Sequence, residues 1–187
     1  MTERTRKLRL LFVPVFGVLV LDQLSKHWVR YSLELHHLEI IEGWLQFNYT
    51  QNPGMAMGME FFPTPVISGV AILATIAIFV YLFRNLENST TAYLICMGSI
   101  LGGALGNITD RLTMGYIEGH GGILDGHVID FIHFNLELWD RPVFPYIFNV
   151  ADIAITTSII VMLLFHNRIM PTPEPDTEPE TTPASNS

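Results

Sequence analysis

Four apolar stretches, each long enough to cross a bilayer as a helix, constrain this chain more than any other feature. They lie at about 8–29, 65–83, 92–110 and 146–165 of the 187 residues. A helix rises about 1.5 Å per residue, so about 20 residues match the roughly 30 Å apolar layer of a bilayer. The pattern predicts an all-α polytopic membrane protein with four transmembrane helices.

The segments between these stretches predict a small β-rich element. The sequence LEIIEGWLQFNYTQN alternates imperfectly and carries Trp44, Phe47 and Tyr49, aromatic residues typical of a membrane interface. A second alternating piece, VIDFIHFNLEL, contains Asp130. We therefore expect a small periplasmic β element that lies on the outer membrane surface.

Composition agrees with a single membrane domain. Hydrophobic residues make up 49% of the chain and charged residues 15%, which is typical of a polytopic membrane protein. Residues 171–187 contain five prolines and four acids, so we predict a disordered acidic tail there. We find no signal for nucleic-acid binding. Cys96 is the one cysteine of the chain, so no intramolecular disulfide can form. It lies in an apolar run.

The distribution of basic residues predicts the orientation in the membrane. Four spans put both termini on one side, and that side carries Arg4, Arg6, Lys7, Arg9, Arg84 and Arg168. The other side carries Lys26, Arg30, Arg111 and Arg141. Because basic residues are enriched in cytoplasmic segments, we expect a multi-pass protein of the cell inner membrane with both termini cytoplasmic.

Small residues on the third span predict a close approach of another helix. Gly98, Gly102 and Gly106 recur every four residues and form a ridge without side chains. On the adjoining stripe, Asn107 and Arg111 are also four residues apart. A polar cluster is therefore expected at the end of this helix.

Polar residues converge near the outer ends of the predicted spans. They are Asp22, Asn52, Asn107, Asp130, Asn149 and Asp152. Asp22 and Lys26 are four residues apart and can form an ion pair, whereas Asn149 and Asp152 share one face of the fourth span. A carboxylate kept inside a span usually faces a protein interior or a wet cavity. Asp152 is therefore a candidate functional residue.

Two close carboxyls at one membrane surface favour hydrolysis by an acid–base pair, because such groups share a proton. A small proton- or ion-coupled carrier is the alternative, although carriers tend to place carboxylates near the midplane and to repeat their halves. A metal site is a third reading. It would use His120, Asp125, His127 and His133, but their spacing matches no zinc pattern, so we expect no metal or other cofactor and interpret this segment as a solvated loop.

Five blocks in order resemble the bacterial lipoprotein signal peptidases, the signal peptidase II family. They are DQLSK at Asp22–Lys26, NPGMA at Asn52–Ala56, GGALGNITDR at Gly102–Arg111, VIDF at Val128–Phe131 and FNVAD at Phe148–Asp152. The resemblance runs from the first span to the fourth. It implies an intramembrane aspartic endopeptidase that removes the signal peptide of a prolipoprotein just before its diacylglyceryl-modified cysteine.

The resemblance also implies roles for single residues. Asp130 and Asp152 would be the catalytic pair, at the periplasmic face. Supporting residues would be Asp22, Lys26, Asn52, Gly54, Asn107, Arg111, Asn149 and Ala151. Diacylated prolipoproteins, membrane lipids and the cyclic peptide globomycin, an inhibitor of the family, would bind. Residues 1–170 would then form a four-span membrane peptidase domain.

One segment is longer than in the family. Between Arg111 and Asp130 the chain carries a Gly- and His-rich insertion at 116–127. Either Gly115 or Gly126 can take the family's glycine position, and the sequence leaves both open.

Overall fold

The computed structural model describes residues 1–54, 62–119, 121–135, 137–139, 141–142 and 146–170. Some predictions concern residues outside these ranges, namely the end of the NPGMA block, His120 and the tail at 171–187. The described helices are α1 (Glu3–Tyr31), α2 (Thr64–Arg84), α3 (Thr91–Ile117), α4 (Val150–Leu164) and α5 (His166–Ile169). The described strands are β1 (His37–Ile41), β2 (Leu45–Asn52), β3 (Val128–Phe134), β4 (Glu137–Leu138), β5 (Arg141–Pro142) and β6 (Ile147–Phe148). Short 3₁₀ turns lie at Leu33–Leu35 and Leu86–Asn88.

Three of the described helices, α1, α2 and α3, are long and apolar enough to cross a membrane. Much of their apolar surface faces outward, as lipid contact requires. On α2, for example, Val70 and Leu73 are exposed over 62% and 68% of their surface. These helices and the small sheet agree with the predicted membrane protein carrying a β element.

The fourth apolar stretch is shorter as a helix than the predicted span at 146–165. Helix α4 begins at Val150 and has 15 residues, a length of roughly 22 Å. Residues Ile147 and Phe148 form a strand instead, because they pair with β3. Asn149 then has an extended backbone and accepts a hydrogen bond from the Asp152 amide, which starts the helix at the next residue.

The third helix is longer than its predicted bounds of 92–110 and replaces the start of the predicted loop. Helix α3 continues to Ile117. Met114 packs against the buried cluster of Val29, Ile129 and Phe131, which gives this extension an apolar anchor. The continuation also lets Gly115 meet the loop that returns from the insertion.

The predicted glycine ridge is confirmed as the contact between α1 and α3. A Cβ atom on Gly102 would lie 2.6 Å from the Val15 carbonyl oxygen, and one on Gly98 would collide with the Leu11 carbonyl. The neighbouring stripe serves α4, since a Cβ on Gly103 would lie 2.7 Å from the Ala151 carbonyl. Helix α3 is therefore packed between α1 and α4.

The sheet brings one aspartate to the ends of these helices. Its strand order is β1-β2-β3-β6, and all neighbouring strands are antiparallel. Asp130, in the inner strand β3, lies opposite Thr50 of β2. Ile132 lies opposite Phe148 of β6, which leads directly into α4. This register places Asp130 beside the start of the helix that carries Asp152.

Both candidate glycines after Arg111 have no room for a side chain. A Cβ on Gly115 would lie 2.9 Å from the Gly126 amide nitrogen, and a Cβ on Gly126 would lie 2.8 Å from the Arg111 carbonyl. The two glycines therefore form one contact between α3 and the end of the insertion. The insertion is also held by α2, because the Ser68 hydroxyl donates to the Leu124 carbonyl at 2.9 Å.

Candidate active site

Asn149 lies at the centre of the polar cluster, and it is fully buried. Its side-chain oxygen accepts a hydrogen bond from the Asp152 backbone amide at 3.0 Å. Its backbone amide donates to Asp152 Oδ2 at 3.3 Å. This reciprocal pair is a capping box, which fixes the first turn of α4. Its Nδ2 group donates to Asp130 Oδ1 at 2.7 Å. One asparagine therefore contacts both candidate catalytic carboxyls.

Asp152 lies in the first turn of α4, where the partial positive charge of a helix N-terminus favours a carboxylate. Its Oδ1 atom accepts a hydrogen bond from Asn107 Nδ2 at 3.0 Å. Asn107 Oδ1 in turn accepts from Asn149 Nδ2 at 3.1 Å. The two asparagine amides thus hold each other and Asp152 in one orientation.

Asp130 is more deeply buried than Asp152, with only 2% of its surface exposed. Its second oxygen, Oδ2, accepts a hydrogen bond from Asn52 Nδ2 at 3.0 Å. Both of its oxygens therefore meet neutral amide donors.

Burial raises the pKa of the Asp130 carboxyl from 3.8 to about 7, and the charge of Asp152 acts in the same direction. Hydrogen bonds from Asn52 and Asn149 and the charge of Lys26 lower the pKa in part. A carboxyl with this pKa is protonated in a large share of molecules at neutral pH. It can therefore act as a proton donor where an ordinary aspartate could not.

Behind the candidate pair lies a buried cluster of three charged side chains. Lys26 Nζ contacts Asp22 Oδ2 and Asp110 Oδ2, both at 2.8 Å, and donates to Asn107 Oδ1 at 2.9 Å. All three charged residues are at most 1% exposed. The three N–H groups of the lysine are therefore fully used, and one of them sets the orientation of Asn107.

The same cluster fixes the two backbone segments that carry the candidate pair. Asp22 Oδ1 accepts a hydrogen bond from the Ala151 amide at 3.0 Å, one residue before Asp152. Asp110 Oδ2 accepts one from the Ile129 amide at 3.1 Å, one residue before Asp130. Lys26 joins the two aspartates and hence sets the spacing between these segments.

A turn after β2 brings two further predicted residues to the site. The Gly54 amide donates to Asn52 Oδ1 at 2.9 Å, and Gly54 has a φ of 112°, which favours glycine. A Cβ on Gly54 would lie 2.6 Å from the Ile67 side chain and 3.6 Å from Arg111 Nη1. Arg111 Nη1 is buried and has no hydrogen-bond partner among the described residues.

A cavity of about 330 Å³ gives access to the cluster from one side. It is lined by Phe134, Tyr146, Phe148, Asp152, Ile153, Thr156 and Thr157. Asp152 and Thr156 line it together, as their shared helix face predicts. A separate cavity of about 440 Å³ opens beyond Lys26 and contains neither candidate aspartate among its lining residues.

Two of the four residues considered for a metal site bond to other groups. His133 Nδ1 lies 2.8 Å from Gln46 Nε2, whereas Asp125 Oδ2 accepts a hydrogen bond from the Gly122 amide. In the part of the chain that the structure describes, no three His, Cys, Asp or Glu side chains are grouped to hold a metal ion.

The structure gathers all ten predicted site residues and adds two that the sequence analysis left out. Asp110 belongs to the buried charged cluster, and Gln23 Nε2 donates to it at 3.0 Å. Gln23 lies inside the DQLSK block, and Asp110 has a partial signal in its spacing. Asp110 follows Asn107 by three residues and Gly106 by four, so it lies on the polar side of the glycine ridge.

Known proteins match the part of the chain that carries the site. The family described as Signal peptidase (SPase) II matches residues 15–168. A lipoprotein signal peptidase of Chlorobium phaeobacteroides (strain DSM 266) is 36% identical over 167 residues and covers 82% of this chain and 88% of its own. One of Pelodictyon phaeoclathratiforme is 32% identical over 174 residues, with coverage of 90% and 96%.

Solved structures agree on the fold. A bacterial membrane enzyme determined by the in meso method at 2.3 Å resolution aligns with a TM-score of 0.62 and 24% identity. The alignment covers 83% of this chain and 86% of that chain. A second such structure, at 1.9 Å resolution, gives a TM-score of 0.61.

Proposed function

This chain belongs to the signal peptidase II family, the lipoprotein signal peptidases, and we propose that it cleaves prolipoproteins with the carboxyl pair Asp130 and Asp152. The family membership makes it a membrane peptidase that removes signal peptides. The aspartic chemistry is our proposal. The observation that carries it is that one buried asparagine contacts both carboxyls, while no lysine or arginine is among their described hydrogen-bond donors.

The two aspartates would divide the acid and base roles according to their surroundings. Asp130 is buried, and its raised pKa of about 7 lets it hold a proton. Asp152 lines the cavity, where a water molecule and the substrate can reach its carboxyl group. Asp152 would therefore take a proton from the attacking water while Asp130 donates its proton to the scissile carbonyl oxygen.

The second half of the reaction returns both protons. As the tetrahedral intermediate collapses, the ionised Asp130 takes back a proton from one of its hydroxyl groups. The protonated Asp152 gives its proton to the leaving amide nitrogen, and the C–N bond breaks. The pair ends in its starting state, as a catalyst must.

Substrate orientation would come from the groups around the pair. Arg111 Nη1, a buried donor without a partner among the described residues, is available to a carbonyl oxygen of the substrate chain. The cavity beside Asp152 has aromatic and aliphatic walls suited to an apolar segment such as a lipid-modified signal peptide. Asn52 and Gly54 would shape the opposite rim.

The topology is part of the same proposal. Helix α4 would be the fourth span, and its 15 residues would be continued by α5 toward the surface. The excess of basic residues around the N-terminus and at Arg84 and Arg168 supports a cytoplasmic location of both termini. The sheet and the aspartate pair would then lie at the periplasmic face of the inner membrane.

Cleavage of a defined substrate tests this proposal. Purified protein should shorten a diacylglyceryl-modified prolipoprotein by its signal peptide, with mass spectrometry locating the cut just before the modified cysteine. We expect globomycin to block the reaction. The same prolipoprotein without its diacylglyceryl group is the matched control and should stay intact. Cleavage at another bond, or equal cleavage of both forms, would contradict the proposal.

A further inference from the structure

The end of the molecule away from the aspartates carries a basic cavity between α1 and α2. It has a volume of about 330 Å³ and is lined by Arg4, Phe83, Arg84, Leu86, Glu87 and Asn88. Arg4 lies 18 residues before Asp22 on α1, which corresponds to roughly 27 Å along the helix. The cavity is therefore separate from the proposed active site.

The cations at this cavity are not neutralised by neighbouring acids. Arg4 lies over the ring of Phe83, 5.9 Å from its centroid. Neither Arg4 nor Arg84 makes an ion pair with a described residue. Lys7 donates to the backbone carbonyl of Glu87, which adds a third cation at the same edge. Two arginines thus line a space that contains one acid, Glu87, and Lys7 lies beside it. This excess of positive charge attracts a negatively charged group.

An apolar surface continues from the cavity along the two helices. The rings of Phe83 and Phe79 stack at 6.1 Å, and Phe79 meets Phe12 of α1 at 6.2 Å. Beside them, one face of α1 forms a groove of about 440 Å³ lined by Thr5, Leu8, Arg9, Phe12, Val13 and Phe16. Phe83 and Phe16 are 45% and 60% exposed, so this surface is open to lipid.

We propose that one anionic phospholipid binds between α1 and α2. Its phosphate lies at Arg4 and Arg84, and an acyl chain lies along Phe79 and Phe12. Basic pockets between transmembrane helices suit anionic headgroups, because each arginine or lysine near the surface adds to the attraction. The order of a charged cavity followed by an apolar groove matches the order of headgroup and tail in a phospholipid.

Native mass spectrometry of the full-length protein tests the headgroup site. The protein is released from detergent micelles containing equal amounts of phosphatidylglycerol and phosphatidylcholine, and the retained lipid is identified. Wild-type protein should keep one phosphatidylglycerol. In the Arg4→Gln/Arg84→Gln variant, the preference for phosphatidylglycerol over phosphatidylcholine should fall by about 10- to 30-fold. The Arg6→Gln/Arg168→Gln variant removes the same amount of charge at positions outside the cavity. This control should keep the preference for phosphatidylglycerol.

The acyl groove is tested with the same readout. Glycerophosphoglycerol, the headgroup without chains, should fail to displace the bound phosphatidylglycerol. Phe12→Ala should weaken retention several-fold. Leu21→Ala, at an exposed apolar position of α1 outside the groove, is its control and should leave retention unchanged. Gel filtration and cleavage activity verify that each variant is folded.

Three results would overturn the proposal. The first is equal retention of the two phospholipids by wild-type protein. The second is an equal loss of preference in the Arg6→Gln/Arg168→Gln control, which would reflect overall charge only. The third is phosphatidylglycerol retention that appears only after residues 171–187 are deleted. In that case the acidic tail would bind the two arginines in the full-length chain.

Discussion

Two clusters of aspartates lie in one hydrogen-bonded network, and they differ in whether a cation contacts them. In the first, Lys26 contacts Asp22 and Asp110, each at 2.8 Å. In the second, every described hydrogen bond to Asp130 or Asp152 comes from an amide group. A cation stabilises the ionised form of a buried carboxyl, whereas burial without one favours the protonated form. The first cluster is therefore suited to structure and the second to proton transfer.

The two clusters are joined by short links. Lys26 orients Asn107, which donates to Asp152. Asp22 and Asp110 hold the backbone one residue before each member of the pair. Through these links the charged cluster positions Asp130 and Asp152. Asn107 and Asn149 lie between the two aspartates and Lys26. Changes in the two clusters should accordingly have different effects, on stability in one case and on turnover in the other.

The largest expected effect is the loss of turnover when either member of the pair loses its titratable proton. Asp130→Asn and Asp152→Asn keep the side-chain shape, and each should reduce cleavage by about 10² to 10⁴-fold, the usual contribution of general acid–base catalysis. Because the two residues act as one unit, the double variant should be scarcely slower than either single variant. Well-folded single variants with near-normal turnover would rule out the pair.

The next largest effect concerns stability. Lys26→Met leaves two buried carboxylates without their cation, which should lower the free energy of unfolding by about 3–5 kcal/mol. Arg30→Met is the matched control one turn further along α1. Its ion pair with Glu118 is partly exposed and should contribute at most about 1 kcal/mol. Thermal unfolding in detergent measures both, and equal losses would refute the structural role of the buried cluster.

A smaller effect should follow from crowding the charged cluster. A Cβ on Gly106 would collide with the Asp22 carboxylate, whereas a Cβ on Gly17 of α1 meets no atom within 4 Å. Gly106→Ala should therefore destabilise the protein by about 1–3 kcal/mol. Gly17→Ala should be neutral or stabilise it by up to about 1 kcal/mol. If the two variants unfold at the same temperature, the tight approach of α1 and α3 is not required.

The smallest effect is a shift in the pH profile. Burial and the charge of Asp152 raise the pKa of Asp130, and hydrogen bonds from Asn52 and Asn149 lower it. Asn52→Ala removes one of these bonds, so the pKa of Asp130 should rise and cleavage should persist to higher pH. Gln46→Ala, on the same strand but bonded to His133, should leave the profile unchanged. A shift of the Asn52→Ala profile to lower pH would contradict this electrostatic account.

Local sequence patterns predicted the three long helices, the small sheet and the convergence of six polar residues. They did so because the span of a bilayer, the helical repeat and the spacing of glycines are properties of short segments. The full set of ten site residues came from the resemblance to the family. The start of α4 was placed too early, since the apolar run at Tyr146 hides the strand pairing of Ile147 with His133. The role of Asp110 depends on its contact with Lys26, 84 residues earlier in the chain, so the spacing on α3 alone could not identify it.

The proton on Asp130 is the central claim, and infrared spectroscopy of the carboxyl C=O stretch tests it most directly. Spectra of wild-type protein and Asp130→Asn would be compared between about pH 4 and pH 9. The account predicts a protonated carboxyl in wild-type protein that ionises with a midpoint of about 7 and is absent from the variant. A signal that stays in Asp130→Asn, or no carboxyl ionisation near neutral pH in wild-type protein, would contradict it.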